Sequence, residues 1–210
     1  MASTLSYISY GVAAVMTVQC VRNITAGYVK EDFEVFKGLA KQEWFRLARI
    51  CPVLVAIVFG LIIAAFTYPT GVFAKVLQWS WLSLIASKED SAQGTNLVVA
   101  AGTNIPYFGV VFLALLFFNL PGMARNEEEM FRRGTKSWWD GVPRSLAFGM
   151  MHCIVGVPVA VGLALMIPGL WFTQEYFKGG IDRSTRVHAF YNMIMVPGLG
   201  VYAILATLHR

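Results

Sequence analysis

Three short patterns follow one another along the second half of this chain, and each sets out groups able to move protons or hold a developing negative charge. Glu127, Glu128 and Glu129 stand together, with Arg132 and Arg133 just beyond. Phe148 precedes His152 by four residues, and His188 precedes Asn192 by four. On a helix, residues four apart share a face. The patterns read EExxxR, FxxxH and HxxxN. A carboxylate held partly out of water, with an imidazole beside it, can take a proton from water. Phe148 would limit water around His152 and fix the orientation of its ring. His188 and Asn192 supply hydrogen-bond donors, which is what an oxyanion requires. Together the groups suit hydrolysis of an acyl bond. Each also has a plainer reading. Glu128 with Arg132, and Glu129 with Arg133, make ordinary helical ion pairs. His152 fits a satisfied core histidine. His188 and Asn192 fit a polar contact between membrane helices. His209, at the chain end, has no role in this scheme.

The surroundings give the patterns weight. The chain has 210 residues, of which 57% are hydrophobic and 14% charged, and its mean hydropathy is +0.59. Soluble domains carry about 25% charged residues. Apolar runs such as 52–68 and 107–120 approach the length needed to cross a bilayer. Ionisable residues at membrane depth are costly and usually functional. These features predict one polytopic domain over 1–210, an all-α integral membrane bundle of about five or six spans plus an amphipathic interfacial helix. The net charge is +5 and the pI about 9.2. The basic residues gather in two loops rather than along one face, which argues against nucleic acid as a partner and for the lipid bilayer. Cys20, Cys51 and Cys153 have no CxxC spacing and read as small buried hydrophobes.

The segmentation follows. Residues 5–21 form a first span, with no basic residue ahead of it. The stretch 30–49 repeats Phe33, Phe36, Ala40, Trp44 and Leu47 at helical steps, which predicts an amphipathic helix along the membrane surface. Pro52 opens the next span, which closes at Pro69-Thr70-Gly71. Residues 72–86 carry Trp79 and Trp81 and suit a short span or an interfacial hairpin. A span over 96–120 is interrupted at Asn104-Ile105-Pro106 and ends at Pro121-Gly122. The glutamates then lie in a polar segment, 123–140, and His152 on a short apolar helix, 145–153. A span over 159–176, a turn at Lys178-Gly179-Gly180 and a last span capped by Ser184 complete the chain. Lys and Arg concentrate in 22–49 and 121–144, which places those loops and the glutamates in the cytoplasm and the N-terminus outside. The expected location is a bacterial plasma membrane or a thylakoid-type membrane.

In this order, the patterns resemble the motif set of the CAAX protease and bacteriocin-processing family, which includes the type II CAAX prenyl endopeptidases. The resemblance covers about residues 120–195, within a motif-bearing core of about 105–208, and includes a glycine-rich helix and turn over 162–180. It implies an all-helical intramembrane glutamate endopeptidase acting on a membrane-associated peptide or protein, with no cofactor. It implies that Glu127 and His152 activate water and that His188 and Asn192 form the oxyanion hole. Glu128, Arg132 and Phe148 match the remaining motif positions. The third glutamate admits a second register, Glu128-Glu129 with Arg133; the first keeps Phe131 next to the arginine. Two other functions compete. A chain this rich in tryptophan suits a non-catalytic subunit or assembly factor of a larger membrane complex, a photosynthetic one included. Glu, His and His could also ligate zinc with one open position, although no HExxH spacing is present.

Overall fold

The computed structural model describes residues 4–81 and 108–208. It is all-α, with no strand among the described residues. In chain order the helices are α1 (Thr4–Thr25), α2 (Tyr28–Phe33), α3 (Lys41–Thr67), α4 (Gly71–Gln78), α5 (Phe108–Phe131), α6 (Trp138–Met151) and α7 (Val159–Leu208). Short 3-10 turns occupy Glu34–Phe36 and His152–Val155. Part of the expected 72–86 and 96–120 segments, with the break at 104–106, lies outside the described residues.

The stretch 30–49 is not one amphipathic helix. Gly38 takes a φ of 71°, a left-handed conformation that L side chains resist. The chain therefore stops there and restarts at Lys41. Residues 41–49 become the first turns of α3, and Pro52 lies inside that helix rather than at its start. The preceding turn is held to the last helix by Arg186 Nε, which donates to the Val35 carbonyl at 2.9 Å. Across the same junction Phe36 stacks on Trp44, which meets Phe190 edge-on. α3 is the one helix among the described residues that is long and apolar enough to cross a membrane by length and composition, against the five or six expected.

Pro121-Gly122 does not end the preceding helix either. α5 continues through it to Phe131 and carries all three glutamates. Gly122 serves close packing: a Cβ there would overlap the Asp32 carboxylate of α2. One turn earlier, buried Asn119 accepts from Asn23 Nδ2 at 2.9 Å and so joins α5 to α1.

α6 and the first arm of α7 form an antiparallel pair. Gly141, Ser145 and Gly149 recur every four residues on α6, the small-residue stripe that lets helices approach closely. A Cβ on Gly149 would overlap the carbonyl oxygen of Gly162, and one on Gly141 would press on Thr173 Cγ2 at 2.6 Å. Beyond α6, the carbonyls of Cys153 and Ile154 accept from Trp81 Nε1 at 3.0 and 3.1 Å. The Gly156 carbonyl accepts from Ser80 Oγ at 2.7 Å.

α7 is two arms joined by a non-helical step at Gly179 (φ −166°, ψ 24°) and Gly180 (φ 69°, ψ −163°). The step reverses the chain. Residues 172 and 188 would stand about 24 Å apart on a straight helix, yet their rings stack at 4.3 Å. The second arm starts directly after Gly180. Ser184 is therefore not its cap but lies inside it, donating to the Ile181 carbonyl at 3.1 Å. At the reversal a buried Glu175 binds Arg46 of α3, Lys178 and Arg183. The core runs along the packed faces of α3, α6 and both arms, through Leu47, Cys51, Phe148, Phe172, Val187 and Tyr191.

Candidate active site

The last turns of α5 turn two of the three glutamates inward. Glu128 and Arg132 are both fully buried, and Glu127 keeps 17% of its side chain exposed. Arg132 Nε stands 3.7 Å from Glu128 Oε2, an ion pair without a hydrogen bond. Its Nη2 donates to the Gly169 carbonyl at 3.1 Å, and its guanidinium lies 5.1 Å over the Phe148 ring. Burial pulls the guanidinium below its ordinary value, against the upward effect of Glu128 and Glu127. Glu129 faces out and pairs with exposed Arg133. The inward set is thus Glu127, Glu128 and Arg132, the first of the two registers.

The second arm of α7 brings His188 to these carboxylates. Its Nδ1 is 2.9 Å from Glu128 Oε1, and its Nε2 is 3.4 Å from Glu127 Oε2. The imidazole is 1% exposed. Phe172, from the first arm, lies on its face at 4.3 Å and 19°. Phe148 meets it edge-on at 5.2 Å and 87°. The same Phe148 ring touches His152 at 5.2 Å, so one phenyl stands against both histidines. His152 begins the 3-10 turn after α6, is half-buried, and holds the Phe148 carbonyl through Nδ1 at 3.0 Å. Asn192 is half-buried one turn beyond His188, and no hydrogen bond ties it to the cluster.

Several polar atoms here have no hydrogen-bond partner. Glu127 Oε2, Glu128 Oε2, Arg132 Nε and Arg132 Nη1 are buried and make no hydrogen bond. Buried polar groups are nearly always satisfied, so a knot of exceptions needs a reason. Among the described residues no group of three His, Cys, Asp or Glu side chains is arranged to hold an ion.

Four supporting residues lie outside the three patterns. Gly169 leaves space that a Cβ would take from Phe148, Arg132 and Ser145. Its carbonyl also accepts from Thr173 Oγ1, which lies 3.0 Å from Ser145 Oγ. Phe172 supports His188 directly. The four-residue recurrence of Gly141, Ser145 and Gly149 was a signal available for this packed face. Compared with known proteins, the chain matches no family model, no curated protein and no solved structure.

Proposed function

We propose that this protein is an intramembrane endopeptidase that hydrolyses a peptide bond in a membrane-associated substrate with water activated by Glu127. The observation that carries the reading is the buried group of Glu127, Glu128, Arg132 and His188, whose hydrogen bonding remains incomplete inside an apolar chain. Glu127 is its accessible carboxylate and takes the proton as water adds to the scissile carbonyl. Glu127 Oε2 and His188 Nε2 stand 3.4 Å apart with no room between them, so the reacting group approaches beside this contact, from the side on which Glu127 is exposed. His188 and Asn192 then donate to the tetrahedral oxyanion. The C–N bond breaks as the proton on Glu127 passes to the leaving amine. His152 meets the group only through Phe148 and takes no direct part in the step. Glu128 and Arg132 hold the far side of His188 and set the local charge.

The membrane setting is part of the proposal. Val53, Ile57, Leu61, Ile63 and Phe66 of α3 are exposed, as are Val15, Val18 and Val21 of α1 and Val111 and Phe118 of α5. Exposed apolar surface on this scale fits lipid. In this reading α3, the helix among the described residues that meets the length and apolarity of a span, crosses the bilayer with α1, α5 and the two arms of α7 beside it, and residues 30–37 lie at the cytoplasmic surface.

The test compares new peptide termini in the membrane fraction of host cells carrying the wild-type chain or Glu127→Ala. Termini that require Glu127 support the reading. An identical set in both, at equal protein levels, sinks it. One observation favours a second reading, a non-catalytic subunit of a larger membrane complex: Trp139 is 92% exposed beside half-exposed Trp138. A stoichiometric partner that survives Glu127→Ala and is lost with Trp139→Ala would favour it. A zinc hydrolase would instead show stoichiometric zinc, removable by chelation together with cleavage.

A further inference from the structure

We propose that Phe172 is a positioning residue: it sets the plane of the His188 imidazole and thereby decides that both ring nitrogens face the α5 carboxylates. Phe172 lies outside the three patterns, and the functional consequence of its placement rests on the endopeptidase reading. An imidazole can turn its plane about the Cβ–Cγ bond, a broad torsion, unless something flat lies against it. Phe172 is that surface, fully buried and near-parallel to the ring. Phe148 blocks a second direction with its edge. Turning the imidazole a quarter-turn would drive it into the Phe172 face and carry Nδ1 away from Glu128 Oε1.

Phe172 is itself held. Its ring meets Phe148 at 6.0 Å, Tyr191 at 5.6 Å and Trp171 at 6.0 Å. It lies on the first arm of α7 and His188 on the second, so this stack transmits the alignment of the two arms to the site. The titratable and charged groups around the imidazole are Glu127 and Glu128 on α5, Arg132 just past its end and, behind Phe148, His152 after α6.

The chain has only three histidines, so selective 15N-histidine labelling in lipid nanodiscs gives a spectrum that can be assigned with His188→Gln. The native protein should show one slowly exchanging ring N–H from His188. Phe172→Leu, which keeps an apolar side chain but removes the flat face, should speed that exchange about tenfold or more. Phe172→Tyr should retain the native signal. Leu47→Ala, in the same core but on α3, controls for general loosening. The proposal is overturned if Phe172→Leu leaves the exchange native, or if Leu47→Ala at a matched loss of Tm reproduces the change.

Cleavage separates this inference from the reading it rests on. Phe172→Leu should lower kcat with KM little changed. If the ring is released but neither Phe172→Leu nor Glu127→Ala alters any cleavage, the positioning stands and the endopeptidase reading falls. If Glu127→Ala abolishes cleavage while Phe172→Leu leaves kcat intact, the reading stands and the catalytic consequence of Phe172 is overturned.

Discussion

Glu175 and Glu128 are both glutamates with fully buried side chains, yet their surroundings differ in kind. Glu175 Oε1 accepts from Arg46 at 3.1 Å and Lys178 at 3.1 Å, and its Oε2 accepts from Arg46 at 3.0 Å and Arg183 at 2.7 Å. Arg46 is further held by Glu43. Every oxygen is used, and three chain segments are fastened. Glu128 has one hydrogen-bond partner, His188, while its Oε2 and Arg132 Nε form only a 3.7 Å ion pair and make no hydrogen bond. A buried charge with its hydrogen bonds complete belongs to the architecture; one left incomplete retains capacity for a ligand or a proton. Burial alone does not distinguish the two.

Substitutions can break or sharpen this contrast. The largest effect is expected from Glu127→Gln, which should lower cleavage by about 10²–10⁴-fold, the usual contribution of a positioned acid or base. Its Tm should hardly move, because that side chain keeps partial contact with solvent; a collapse of Tm would make the cluster structural like its counterpart. Glu175→Gln should do the reverse. It strands Arg46 and Arg183 beside a neutral amide and should cost about 3 kcal/mol by denaturant titration, the low end for breaking a buried pair because the cations are partly hydrated. Stability left intact would remove Glu175 as a fastener. Gly149→Ala should cost about 1–3 kcal/mol as an overpacked contact against Gly162, and an unchanged Tm would refute the close crossing of α6 and α7. The smallest effect is expected from Glu129→Gln. Its pair with Arg133 is solvent-facing, so neither Tm nor cleavage should change measurably. A loss of cleavage would shift the inward register by one residue.

What could be read from the sequence was local. Helicity, the turn at 178–180 and the four-residue spacings follow from periodicity and from glycine, and they suffice to propose Glu127, Glu128, Arg132, Phe148 and His188 as neighbours. The structure brings those five into contact. His152 joins them only through Phe148, and Asn192 makes no hydrogen bond to them. What could not be read depends on partners distant in sequence. Gly122 looks like a helix stop until Asp32 is seen against it. Pro52 looks like a helix start until Gly38 is found to have ended the previous segment. Arg46 looks like one charge on an amphipathic face, because nothing in residues 30–49 announces a glutamate 129 positions away. Phe172 is one of 15 phenylalanines, and only the reversal at Gly179-Gly180 selects it.

That reversal leaves the chain almost no length to spare. Most surface connections tolerate added residues because closing a longer loop costs little entropy. Here the second arm resumes its helix at once after Gly180. One residue gained or lost at the start of that arm would rotate His188 by about 100° around the helix axis, carrying it off Phe172 and away from both glutamates. The two glycines therefore act as an indexing mark for the site, and variation in length should be confined to other connections of the chain.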